Sequence, residues 1–452
     1  MPTLIYYLKD FMRSVTSMCS PAAVGLFLVL GGFWALPAAA QVNSPYSRFG
    51  VGDLYNSRNV VSKGMGGLAT PYAELQSINF INPASYSHIG FVTYDVGIET
   101  ELRTLRNRAR TESFESSNII FNYATLGVPL LKNKQKTKTL WGLAFGLRPV
   151  SRVRYNIQTF QELQGIDSAI TEFRGNGGAY RGFVGTGFRL GNLSLGANIG
   201  YQFGQQDLNT FRSLQSDSIF YYVANISNKT SFNQFWVDLG AQYELKLGKK
   251  SMVRLGANGN LGGKAKAERD LVQQTSFYNS DGSADSIDVV ERSKTFGTYT
   301  FPSSYSVGAL FDFAGKLSIG GEYEHTRWTD FRNFNRADNL ADVSMLRLGA
   351  QWIPDPATGK QYFKQVAYRA GYFTGKDYVV AGNQQLPVWG VTLGLGLPVK
   401  RYNAYSTQFT TINTSFEFGR RGNNQSPYSE TYFRINVGLA LSDIWFIKRQ
   451  YD

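Results

Sequence analysis

From residue 90 to the C-terminus the chain repeats one pattern: an apolar residue at every second position, with Gly, Asn, Gln or a charge between. In 432–441 the apolar set is Phe433, Ile435, Val437, Leu439 and Leu441, and the intervening set is Arg434, Asn436, Gly438 and Ala440. In 192–203, Leu193, Leu195, Ala197, Ile199, Tyr201 and Phe203 alternate with Asn192, Ser194, Gly196, Asn198, Gly200 and Gln202. A period of two places the sets on opposite faces of a β-strand. Soluble sandwiches alternate too, but seldom keep one face of nearly every strand apolar and the other rich in Gly, Asn and Arg. Lipid outside and water inside is the pattern of a transmembrane antiparallel β-barrel.

The pattern predicts fourteen strands, at about 90–103, 117–130, 139–160, 177–190, 192–205, 233–246, 251–264, 293–313, 316–328, 343–353, 364–374, 388–398, 408–418 and 430–441. The links supply an independent check. Those after even-numbered strands are mostly short, such as Gly191-Asn192, Gly248-Lys249-Lys250 and Gly315-Lys316, with longer ones at 131–138, 354–363 and 399–407. Those after odd-numbered strands are long and polar: 161–176, 206–232, 265–292, 329–342, 375–387 and 419–429. Barrels of the outer membrane have short periplasmic turns and long extracellular loops, so the start of strand 1 and the end of strand 14 lie on the periplasmic side. The 47 Gly, 27 Tyr and 32 Phe, with only 17% charged residues, suit a wall with aromatic girdles.

Residues 1–40 read as a cleaved signal peptide. Lys9 and Arg13 give the positive region, 22–36 the apolar run, and Pro37-Ala38-Ala39-Ala40 the small residues before cleavage. Cys19, the sole cysteine, lies in this leader, so disulfides and cysteine metal sites are excluded from the mature chain. No later run of 18 apolar residues exists to form a membrane helix. The net charge of +13 could attract nucleic acid, but an exported chain seldom meets any, and basic residues collect in short turns: Lys132, Lys134, Lys136, Lys138, Lys249, Lys250, Lys400 and Arg401. The aromatic pair Trp445 and Phe446, close behind the last strand, reads as a signal to the barrel-assembly machinery.

Residues 41–89 break the pattern. They hold Ser44-Pro45-Tyr46-Ser47-Arg48-Phe49-Gly50, Gly64-Met65-Gly66-Gly67 and Asn79-Phe80-Ile81-Asn82-Pro83-Ala84. Their aromatic and aliphatic content argues against a disordered tail and for an ordered plug inside the barrel of residues 90–452. A glycine-rich stretch (Gly64, Gly66, Gly67) followed by an Asn82-Pro83-Ala84 turn and a first strand resembles the hatch of the FadL family of outer-membrane transporters, FadL/TodX type. The Ser-Pro-Tyr-Ser-Arg-Phe-Gly opening and the Trp-Phe-Ile-Lys-Arg ending resemble its Bacteroidota branch. The resemblance implies a fourteen-stranded barrel, a ligand held inside it, and lateral release through a kinked third strand. Arg148, Pro149 and Ser151 then mark the candidate kink, since proline cannot donate to a ladder. A plain strand end is the alternative.

Enzymatic motifs are absent. His88 and His325 are the only histidines, and no nucleophile elbow, P-loop or dinucleotide fingerprint follows a strand. No cofactor is expected. On the inferred inner face lie Asp238, Glu244, Arg254, Asp312, Glu322, Glu324, Arg347, Arg369, Glu417 and Arg434. In lipid an Arg or Lys would cost about 2–4 kcal/mol near the midplane, so these charges belong to the lumen, where they would anchor the plug. Two functions remain open. In the first, placed ahead by the hatch, a hydrophobic small molecule enters between loops 206–232 and 265–292, past Phe211, Ile219, Phe220, Tyr221, Tyr222, Phe277 and Tyr278, and is taken up passively. In the second the barrel is an accessory protein of type IX secretion or barrel assembly that binds other envelope proteins. An apolar pocket favours the first. A lumen packed with ion pairs favours the second.

Overall fold

The structure is a computed structural model. It describes residues 44–109, 111–132, 139–163, 166–215, 221–278, 284–356, 361–399 and 409–444. The leader, the turn residues Lys134, Lys136, Lys138, Lys400 and Arg401, the loop residues Ile219 and Phe220, and the terminal Trp445 and Phe446 lie outside them.

Fourteen antiparallel strands close into one barrel. They are β1 (Val92–Asn107), β2 (Ser113–Lys132), β3 (Thr139–Leu163), β4 (Ile166–Leu190), β5 (Leu193–Gln215), β6 (Val223–Lys246), β7 (Ser251–Asn260, resumed at Gly263–Tyr278), β8 (Ala284–Phe301, resumed at Ser304–Phe313), β9 (Leu317–Thr326), β10 (Val343–Trp352), β11 (Ala367–Ala381), β12 (Gln384–Val399), β13 (Phe409–Arg421) and β14 (Tyr428–Asp443). Closure comes from β14 against β1, with Arg434 opposite Glu101 and Gly438 opposite Gly97. Closure matters because a backbone N–H or C=O left bare in hydrocarbon costs several kcal/mol.

The outer face carries exposed Leu195, Ile199, Leu239, Leu393 and Leu439, with Trp141, Phe188 and Trp352 near the short-turn rim and Tyr180, Tyr201, Phe203 and Phe235 near the other. Trp141 stacks on Phe188 at 5.2 Å, as expected of a girdle ring pair.

Four expected loops, 161–176, 206–232, 265–292 and 375–387, are largely strand. Residues 206–215 belong to β5, 223–232 to β6, and 265–278 with 284–292 to β7 and β8. Likewise β3 and β4 run to 25 residues each. About 9–11 residues cross a membrane, so β3–β8 rise well above it as a tall sheet. The long loops are therefore shorter than expected, and Phe211 and Phe277 sit on strands. Elsewhere 329–342 forms a short 3-10 turn and a tiny hairpin, and 362–365 one helical turn.

Residues 44–91 run inside the barrel. Met65, Leu68, Ile78, Phe80 and Tyr86 are fully buried. Lumen-facing glycines leave the room they occupy. A Cβ on Gly371 would strike the Met65–Gly66 backbone, and one on Gly240 the Asn82 side chain. Gly371→Val should therefore strain the packing by about 1–3 kcal/mol. The heat at which the barrel loses its compact migration in gels should fall, while Gly182→Val, where a Cβ meets nothing within 4 Å, should leave it unchanged.

Candidate functional site: the plugged lumen

The plug is irregular because its turn residues force it to be. Asn59 caps a helical turn (Val60–Gly64) by accepting from the Ser62 N–H at 2.9 Å. Gly66 and Gly67 follow with φ of +66° and +85°, a region that penalises any Cβ. The Gly66 N–H donates to Thr392 Oγ1 on β12 at 2.8 Å. Asn82 caps the 3-10 helix Pro83–His88, accepting from the Ala84 N–H at 3.1 Å, and its amide donates to the carbonyl oxygens of Thr70 and of Ala241 on β6. The glycine run and the Asn-Pro-Ala turn thus meet opposite walls of the barrel.

Charges complete the attachment. Near the short-turn end, Glu244 accepts from Arg254 at 2.8 Å, faces His88 Nε2 at 3.0 Å and pairs with Arg189. At mid-height Arg58 reaches Glu322 at 2.8 Å and Glu324 at 2.9 Å, and Arg347 joins Glu324 at 3.0 Å. The other Glu322 oxygen accepts the N–H groups of Ala69 and Thr70. Lys63 sits on Glu99, and Arg434 links Glu101 and Glu417. Toward the extracellular end, Asp53 lies between Arg421 (2.7 Å) and Arg103 (3.1 Å), and Ser44 Oγ donates to Glu430. Burial alone would raise the Asp53 carboxyl, but Arg421 and Arg103 hold it below its usual range.

Of the inner-face residues expected from sequence, Glu322, Glu324 and Arg347 meet at Arg58. Glu244 and Arg254 meet at His88, and Glu417 and Arg434 share a pair. Arg369 bonds Gln351 and Asn413. Asp238 lies 3.8 Å from Arg148. Asp312 stands apart: it accepts from the Gly315 N–H in the β8–β9 turn and from Ser318 Oγ. Sequence reasoning missed Arg58, Lys63 and Asp53, whose segment has no period, and Glu99, Glu101 and Arg103, although these alternate along β1.

Arg148 is buried, with its guanidinium over Phe80 at 5.3 Å and Trp236 at 5.9 Å. Its neighbours interrupt the wall. The β2–β3 ladder ends at Ala124 opposite Leu147, and Val150 bulges between Pro149 and Ser151 in the β3–β4 register. The plug fills the interruption: Asp53 and Leu54 pair with Arg152 and Ser151, and the Tyr55 N–H donates to Val150 O.

Two cavities in the lumen mix charged and apolar groups. One of about 300 Å³ is lined by Arg58, Arg103, Arg347, Glu324 and Glu417, with Leu54, Ile81 and Trp328 among its apolar atoms. Another of about 170 Å³ adjoins it at Arg148, with Arg181 and Asp238. No group of three His, Cys, Asp or Glu able to hold a metal occurs among the described residues.

A closed barrel, apolar outside and charged within, defines an outer-membrane protein of the Gram-negative envelope. The family model BamG matches residues 24–452, and the chain belongs to the BamG family. A search of curated proteins finds no match. Among solved structures, the Ralstonia pickettii toluene transporter TbuX shares the fold with TM-score 0.56 and 12% identity, over 85% of this chain and 98% of that one. A Pseudomonas aeruginosa FadL homologue gives 0.53 at 11%, over 88% and 100%. The P. putida toluene transporter TodX gives 0.51 at 14%, over 87% and 99%. At these identities the likeness is one of fold.

Removing one partner of a buried pair strands the other, at about 3–5 kcal/mol. Arg58→Ala should lower unfolding stability by that order and expose the plug to protease, and adding Glu322→Gln should restore part of the loss. Burial pushes His88 down from 6.5 to about 4, with Arg254 and Arg189 adding to it and Glu244 opposing. The folded value lies below the unfolded one, so the unfolded chain takes the proton first. The His88 contribution is complete above pH 6.5 and is lost as pH falls toward about 4. His88→Gln should flatten the stability profile across that window, measured by thermal unfolding.

Proposed function

We propose that the barrel serves as an accessory protein of outer-membrane assembly, a membrane-held platform for other envelope proteins. The observation that carries this is the lumen itself. It is crossed by a plug tied to the wall by buried ion pairs, and guanidinium and carboxylate groups stand among the apolar residues that line its main cavity. A hydrophobic solute crossing the lumen would have to separate these charges to pass, each separation leaving a buried charge alone. The tall sheet of β3–β8 supplies surface beyond the membrane, and the prefix of the family name points to barrel assembly.

Passive uptake of hydrophobic compounds is the second reading. It is favoured by the fold shared with toluene transporters and by the interrupted wall at Arg148, Pro149 and Ser151. In it the plug acts as a hatch, and movement of Asp53–Leu54 away from β3 opens a lateral path to the outer leaflet. Native mass spectrometry of the protein, extracted from its own membranes in mild detergent, separates the two. The platform predicts a stoichiometric complex with envelope proteins and an empty barrel. A solitary barrel retaining a long-chain lipid or an aromatic compound, lost when residues 44–89 are deleted, would overturn the platform in favour of uptake.

A further inference from the structure

The tall extracellular sheet has two edges, and they are built differently. On the β8 side, 284–297 carries Asp285, Asp288, Glu291, Arg292 and Lys294, and its pairing with β7 is broken by irregularities at Ser286/Asp288 and Val289/Glu291. Charges and bulges are how natural proteins stop an edge strand from recruiting another chain. On the β3 side the edge has little such protection. Asn156 to Gln161 reads Asn-Ile-Gln-Thr-Phe-Gln, without a charge or a proline, and its register with β4 is regular from Ser151 to Gln161. Phe160 is 72% exposed.

The backbone of this edge points outward for pairing. In an antiparallel ladder, alternate residues turn their N–H and C=O to the same neighbour. On the side away from β4, Val150 O accepts from the Tyr55 N–H, Arg152 pairs with Asp53, and both the N–H and C=O of Arg154 bond to Ser47 Oγ. The same alternation turns Asn156, Gln158 and Phe160 outward, and among the described residues no strand pairs with them there. Meanwhile β2, the neighbour lower down, left the ladder at Ala124. The plug thus pairs with β3 as a strand at Asp53–Leu54 only, and from the 3-10 helix Pro45–Arg48 the Ser47 hydroxyl occupies the next outward position at Arg154.

We infer that the β3 edge from Asn156 to Gln161 takes an extended segment of another envelope protein as an added strand, continuing the pairing that the plug begins. This rests on the platform reading. The segment supplies backbone hydrogen bonds and an apolar side chain that covers Phe160. A second copy of this chain does not fit. Two barrels upright in one membrane are related by an axis along its normal, so their β3 strands would run the same way and, tilted by about 35–45° each, would cross instead of pairing.

The test is hydrogen exchange on the full-length mature protein, alone and in the complex isolated from its own membranes, with Gln158→Pro and Gln158→Lys beside the wild type. Gln158 is exposed, so retained heat-modifiable migration confirms the variants as folded barrels. In the complex the amides of Asn156, Gln158 and Phe160 should gain protection, and both variants should hold partner about tenfold less well. Val289→Pro on the guarded edge should hold it as the wild type does. A complex that leaves these amides unprotected and survives Gln158→Pro overturns the added strand while the platform stands. Failure to isolate any complex overturns both.

Discussion

A charge buried inside a barrel must find an opposite charge, and this lumen is organised by that requirement. Bare burial of a carboxylate or guanidinium costs several kcal/mol even after relaxation. The strands supply Glu99, Glu101, Glu322, Glu417 and Glu430, which the closed wall removes from water. Partners come from other strands, such as Arg103 for Glu430 and Arg434 for Glu101, and from the plug, through Arg58 and Lys63. The plug is therefore more than filler. Without it Glu322 would lose both Arg58 and the Ala69 and Thr70 amides. Wall and plug each hold the charge the other needs, which fixes the plug's height and rotation in the barrel.

The glycines make that fit possible. Gly142, Gly196 and Gly371 sit on the inner face where the plug backbone passes close by, and side chains there would hold it off. Hydrogen bonds from Asn82 and Gly66 to the wall follow from that approach. The same plug then crosses to β3, where the wall ladder has ended, and supplies Asp53–Leu54 in its place. Lumen chemistry, wall interruption and extracellular sheet are thus one continuous arrangement along β3.

Much of this was legible in the sequence, and the misses have physical reasons. The strand number and the division into inner and outer faces come from a two-residue period imposed by lipid on one face. Above the membrane lipid no longer imposes it. Thr171-Glu172-Phe173-Arg174 carries no apolar alternation and looks like loop, yet it is strand. On the wall, charges such as Glu322 and Arg347 stood out because they interrupt an apolar neighbourhood. Their plug partners did not, because a segment held by tertiary contacts has no period of its own. Pro149 marked an irregular place in β3, but only the register shows that the ladder with β2 ends beside it.

The central claim is that the ion-paired plug closes the lumen. Conductance of the mature protein in planar lipid bilayers tests it most directly. The wild type should pass no steady current, and ion-conducting openings should appear once Arg58 and Lys63 are both replaced by alanine. Steady openings from the wild type itself would contradict it.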